Sequence, residues 1–219
     1  MITVESIQIG RVRTEGDPSV RDLTRRVWTT GFYKLPVEGE VDVGPLGLVG
    51  DEVADTRHHG GPDKALLCYA ASHYPLWNDE YPELPSASAG FSAGGLGENL
   101  TVAGADESGV CIGDLFRLGS CQLQISQPRQ PCWKISRRWA IKTFTKRVTQ
   151  SGRTGWYFRV TAAGRIASGQ QLELIDRPHP NWSVARANDV MFGREVDRLA
   201  VFELMQLSPL AESWKRDLA

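Results

Sequence analysis

Long apolar runs are missing from this sequence. No stretch approaches the roughly 18 residues that a membrane-spanning helix needs, and the opening MITVESIQIG lacks the basic start and apolar core of a secretory leader. A cytoplasmic protein is the expectation. Cysteine is scarce as well: the four thiols, Cys68, Cys111, Cys121 and Cys132, form no C-x-x-C pair, which argues against a zinc finger or a disulfide framework. Internal repeats and low-complexity tracts are absent too. The sharpest absence is of acid. Between Leu115 and Leu172 there is no Asp or Glu, while the same window holds eleven bases: Arg117, Arg129, Lys134, Arg137, Arg138, Lys142, Lys146, Arg147, Arg153, Arg159 and Arg165. The rest of the chain carries 14 bases against 26 acids, so a net charge of -1 conceals a strong polarity. A solvated surface intersperses both signs; one sign over so long a window points to an anionic ligand.

What is present is ordinary for a folded chain. The 219 residues are 41% hydrophobic and 9% aromatic, enough for one sizeable domain and a small appendage. Most of the first 176 residues read as short strands. CQLQIS (121 to 126) alternates Cys121, Leu123 and Ile125 against Gln122, Gln124 and Ser126, VEGEVDV (37 to 43) is strand-like, and KALLCYA reads as a buried strand. Glycine and proline punctuate these runs densely, which predicts a mainly β fold, closed or half closed as a β-barrel. Two helices interrupt it, one capped by Ser72 and one carrying Ile141, Phe144 and Val148 before Gly152. Beyond Pro178 and Pro180 the period becomes helical. Ser183 caps a helix to about Phe192, a second spans 194 to 206, and Ser208 with Pro209 opens a third. The division expected is a barrel over residues 1–176 and a small three-helix bundle over 177–219, with the barrel able to bind its ligand alone.

Four motifs carry chemistry. QPRQPCWK (127 to 134) holds Cys132 in a proline-stiffened loop between Arg129 and Lys134, and nearby cations favour the thiolate, a nucleophile or soft metal ligand. RHHGGPDK (57 to 64) is less a metal site than a glycine turn. Neighbouring residues of an extended chain point to opposite faces, so His58 and His59 do not share one ion, whereas Gly60 and Gly61 let the backbone approach an anion flanked by Arg57 and Lys64. GENL (97 to 100) offers Glu98 and Asn99 to a heterocycle, and TTGFYK (29 to 34) offers Thr30 and Lys34 to a phosphate.

Taken in series, GLVGDEVADTRHHGGPDKAL (47 to 66), GENL, IGDLFRLG (112 to 119) and SQPRQPCWK (126 to 134) resemble the MOSC family, named for the molybdenum cofactor sulfurase C-terminal domain. TTGFYKLPVEGEV (29 to 41) and the helical tail are similar to the bacterial YiiM-type subgroup. The resemblance implies a MOSC-type β-barrel binding molybdenum cofactor, with Cys132 as metal ligand and, with His59, a catalytic residue. It implies Lys34, Arg57, Lys64 and Arg129 around the cofactor phosphate, with Gly60 in the cofactor-binding anion nest, and His59, Glu98 and Asn99 near the pterin or the substrate. The activity implied is reduction of N-hydroxylated compounds, such as hydroxylaminopurine-type base analogues, to amines, as detoxification. No flavin, haem or iron–sulfur motif is present, so a separate flavin-containing reductase is the electron donor implied. The alternative is a cofactor or sulfur carrier without reductase activity. A nucleic-acid binder is disfavoured by a pI of about 6.4 and by the mixed charge of the last helix. A homodimer is left open.

Overall fold

The computed structural model describes residues 1–22, 25–84 and 90–219. Thirteen strands run in chain order: β1 (Ile2–Ile9), β2 (Arg13–Glu15), β3 (Trp28–Thr30), β4 (Leu35–Pro36), β5 (Glu40–Gly44), β6 (Gly47–Leu48), β7 (Leu66–Ala70), β8 (Leu100–Ala103), β9 (Leu115–Leu118), β10 (Cys121–Pro128), β11 (Trp156–Ala162), β12 (Gly164–Ala167) and β13 (Gln171–Asp176). The helices are α1 (Thr56–His59), α2 (His73–Glu80), α3 (Lys134–Trp139), α4 (Phe144–Ser151), α5 (Val184–Met191), α6 (Arg198–Gln206) and α7 (Glu212–Leu218). Seven strands close a barrel in the order β13-β9-β10-β11-β7-β8-β1, shut by the pairs Ile2↔Leu172 and Thr3↔Gln171. Only β7 and β8 run parallel; every other barrel pair is antiparallel. Closure removes the free edges that a sheet of this size would expose.

The alternation of side chains assigns each strand two duties. Along β7, Leu66 and Cys68 join the cluster built around Leu123, Ile125 and Phe158, while Tyr69 turns the other way into an aromatic cluster with Tyr74, Trp77, Phe144 and Trp139. A strand covered on both faces must be apolar throughout, and all five β7 residues are buried. The helix expected after Ser72 is α2, and the one ended by Gly152 is α4, where Gly152 sits at φ 74°. The cap at Ser72 forms without its side chain; Ser183 caps α5 as expected, accepting from the Arg186 N–H at 3.1 Å.

The tail differs from expectation at two helix starts. The second helix begins at Arg198, capped by Asp197, not at Arg194, whose guanidinium instead bonds Asp189 at 2.5 Å. Ser208 and Pro209 lie in a turn, and α7 starts only after Ala211, because the Ala211 N–H donates to the Ser126 carbonyl of β10 at 2.9 Å. These helices pack on the barrel. Ala187, Val190, Leu204, Leu210 and Trp214 belong to the same hydrophobic cluster as Leu123 and Ile125. Among the described residues no helix is long and apolar enough to cross a membrane.

A cleft at Cys132

The strand β10 ends at Pro128, and the chain turns across the barrel before α3 begins. The Arg129 N–H donates to the Gly155 carbonyl at 3.0 Å, and the Cys132 carbonyl accepts from Ile135 N–H at 3.2 Å and Thr145 Oγ1 at 3.0 Å. The loop is also held from the tail. Gln130 Nε2 donates to Asp217 Oδ2 at 3.0 Å, and Ser213 Oγ donates to Gln127 at 3.2 Å. Cys132 is partly exposed, whereas Cys68, Cys111 and Cys121 are buried. Burial pushes the Cys68 thiol well above its ordinary range and that of Cys121 to about 11, so neither titrates near neutrality.

Lys34, His59, Lys64, Asn99, Arg129 and Cys132, drawn from four separate segments, line one small cleft of about 110 Å³. An adjoining cavity of about 620 Å³ is lined by Arg57, His59, Lys64, Cys132 and Tyr157 together with Ser213, Arg216 and Asp217 of α7. Gly60 lines neither cavity. Glu98 does not line them either: its fully buried carboxylate accepts from the Gly94 N–H (2.7 Å), the Leu96 N–H (3.1 Å), Thr101 Oγ1 (2.8 Å) and the Tyr74 hydroxyl. It fixes the turn before β8. Its neighbour Gly97 sits at φ 79°, where a Cβ would lie 2.9 Å from the Phe32 ring.

The two histidines lie on the short turn α1, not in extended chain, yet they still diverge. His58 faces out onto Asp55, Nδ1 to Oδ2 at 3.0 Å, and His59 faces into the cleft. Burial, then the Arg129 and Lys134 cations, depress His59 to about 4, so its ring is neutral at physiological pH. Lys34 is ion-paired to Asp51, which also accepts from Gly10 N–H and Asn99 Nδ2 at 2.8 Å each. Burial lowers the Lys34 pKa and the Asp51 charge opposes the fall. Lys64 donates to the His58 carbonyl at 2.7 Å. Tyr157 is pushed up to about 12 by burial and stays a hydroxyl donor throughout the working pH range. Three of these contributors escaped the sequence reading. Asp51 stood inside a quoted motif but read as a turn, Tyr157 alternates like any core aromatic of a strand, and Arg216 lies far along the chain in a helix of mixed charge.

Of the eleven cations in the acid-free window, five bind acids from elsewhere: Arg117 with Glu173, Arg147 and Arg153 with Glu80, Arg159 with Asp63, and Arg165 with Glu40. Among the described residues Arg129 has no carboxylate partner. It is 4% exposed; its Nη2 donates to the Leu96 carbonyl at 3.0 Å, while Nη1 is buried without a partner. A buried guanidinium N–H left unpaired is costly unless a ligand accepts from it.

The MOSC domain matches residues 55–173, and the YiiM-like, 3-alpha helix domain matches residues 182–219. The chain belongs to the MOSC family. Protein YflK of Bacillus subtilis (strain 168) is 40% identical over 200 residues, 91% of this chain and 88% of YflK. A protein of Gibberella moniliformis named "Reductase" is 37% identical over 180 residues, 82% of this chain but 31% of the fungal protein, most of which lies outside the match. The crystal structure of YiiM from Geobacillus stearothermophilus superimposes with a TM-score of 0.80 at 30% identity, covering 100% of both chains. MOSC domains are associated with molybdenum cofactor. The donor set fits such a group. Among the described residues no three His, Cys, Asp or Glu side chains could hold a bare metal ion, but one thiol, one orphaned guanidinium N–H, a phenol and two further ammonium groups suit a metal whose other ligands arrive on an anionic pterin.

Proposed function

We propose that this protein is a molybdenum-cofactor-dependent reductase of N-hydroxylated compounds, yielding the amine. The observation that carries the reading is the partly exposed Cys132 thiol in a cleft shared with the Arg129 guanidinium, whose buried Nη1 has no partner, within a MOSC barrel. The name of the fungal relative supports the reaction type. Cys132 would ligate the metal, with Arg129, Lys64, Arg57 and Arg216 meeting anionic oxygens and Tyr157, Asn99 and the Lys34–Asp51 pair facing the polar heterocycle. The bound cofactor supplies two-electron reduction.

Cleaving an N–O bond also needs two protons, one on the departing oxygen and one on nitrogen. His59, which lines the cleft, would carry one on a ring nitrogen. Burial and the field of Arg129, Lys134 and Lys64 keep it neutral, and an anion that offsets those charges raises its proton affinity. Electrons come from outside, from a flavin-containing reductase by our reading, because the one thiol lining the cleft cannot give two electrons per turnover without being reduced again. The test is protein purified from a host that makes molybdenum cofactor. Elemental analysis should find molybdenum, and a supplied donor should drive amine formation from an N-hydroxylated aromatic substrate. Bound molybdenum with no turnover of such substrates would leave a carrier instead.

A further inference from the structure

Beyond the cleft lies a groove of about 1360 Å³ that it meets at Asp55, His59 and Lys134, which line both. One wall is the segment 25–29; the other is made by α3 and α4. Ligand sites for small organic molecules occupy about 300–1,000 Å³, so the groove exceeds what a lone heterocycle fills. Two features define what it would take.

The first is a flat apolar surface. Trp133, next in the chain to Cys132, is 53% exposed, yet its ring is propped against Trp28 at 5.6 Å and 56°, with the Arg137 guanidinium 5.2 Å from the Trp28 centroid and 5.7 Å from that of Trp133. An indole held open beside a reaction cleft is a stacking platform for a planar ring. The second is charge. Arg25, Arg26, Lys142 and Lys146 line the same groove, all exposed, and none of the four has an ion pair among the described residues. Carboxylates nearby are few and engaged: Asp55 faces His58, Asp22 lies in the field of Arg137, and Asp17, which feels the Arg25 charge, accepts from the Ser19 N–H and hydroxyl.

We infer that this groove docks the substrate as a phosphorylated nucleotide, its base stacked on Trp133 and its phosphate held between the Arg25–Arg26 pair and the Lys142–Lys146 pair. The inference rests on the reductase reading of the cleft and names the form of the substrate. A planar ring with an attached polyanion satisfies both features, whereas a free base uses only the first. A single nucleotide fits better than a polymer, because the whole chain carries 26 acids to 25 bases and the next cation along α4, Arg147, is already paired with Glu80.

Binding to the full-length protein, followed by tryptophan fluorescence and calorimetry, tests this without catalysis. Adenosine monophosphate should bind at least roughly tenfold more tightly than adenosine at low salt. Lys142→Glu combined with Lys146→Glu should erase that preference while the melting curve and molybdenum content stay unchanged. Trp133→Leu should weaken both ligands by about tenfold, the loss of one stacking contact. Equal affinity for nucleoside and nucleotide would overturn the inference, as would a preference that survives the lysine reversal, or a single-stranded oligonucleotide that outcompetes the mononucleotide at the same site. Turnover separates the two readings. If the loaded protein reduces an N-hydroxylated base and its monophosphate with the same kcat/KM, the reductase reading stands and the nucleotide inference falls. If it reduces neither while the monophosphate preference holds, the groove keeps its ligand and the reductase reading fails.

Discussion

Four thiols in one chain let the role of Cys132 be separated from that of packing. Cys68 is fully buried in β7 within an apolar cluster, so Cys68→Ser places a hydroxyl among apolar side chains and should cost about 1–3 kcal/mol, seen as a lower melting temperature at unchanged molybdenum per folded molecule. Cys132→Ser should do the reverse: the melting temperature holds, because the loop is fixed by backbone bonds at Arg129 and Cys132, while molybdenum falls to background by elemental analysis. His59 supplies a second test at this scale. Its native pKa of about 4 lies below the unfolded value near 6.5, so between those values the unfolded chain binds more protons than the native one. The stability linked to His59 is therefore full above about pH 6.5 and is lost as pH falls toward 4. His59→Gln should flatten that slope in melts of the ligand-free protein; an unchanged slope would assign the acid sensitivity elsewhere.

The C-terminal helices look detachable in sequence, since Pro178 and Pro180 interrupt the pattern and the helical period begins only afterwards. In the structure they are stitched to the barrel by backbone bonds that join Ile112 to Trp182, Val110 to Val184 and Ser126 to Ala211. Trp214 is fully buried in the barrel's own cluster. Trp214→Ala should thus cost about 3–5 kcal/mol, measured by urea unfolding of the whole molecule. Barrel and helices should also unfold in a single transition, and a chain ended after Asp176 should lose both stability and molybdenum. A helical transition resolved from that of the barrel would contradict this coupling. The element that matters most to the cleft is α7, which brings Arg216 to the cavity and clamps Gln130 and Gln127 of the Cys132 loop.

Over the whole molecule, the basic window divides into charges neutralised at the surface and charges left for the cleft and groove. Arg165 is 63% exposed and pairs with Glu40, a contact of the kind worth about 0–1 kcal/mol. Arg129 is buried with one N–H unpaired. Arg129→Ala should weaken cofactor retention by roughly ten- to hundredfold, the loss of one charge-assisted hydrogen bond, and Arg165→Ala should leave it unchanged. Molybdenum content after stepwise dilution and desalting measures both, and equal retention would return the window to general surface charge.

Those eleven cations also mark how far a linear reading reaches. Strand alternation, glycine punctuation and the change to helical period depend on neighbours along the chain, so the mainly β barrel and its helical tail were legible, as was Cys132, flagged by adjacent cations and prolines. Pairing in space depends on residues far apart in sequence. Nothing local distinguishes Arg165, neutralised by Glu40 125 positions away, from Arg129, left unpaired within the cleft. The same blindness applied to Glu98 and Asn99, adjacent in GENL: one is turned inward to brace a loop and the other toward Asp51 and the cleft. Start points of α6 and α7 moved for a related reason, since Arg194 binds Asp189 and the Ala211 N–H is claimed by β10. The chemistry available to this protein is written in its residue types; which of them meet a ligand was decided by barrel closure, because closure brings four distant segments together at one thiol.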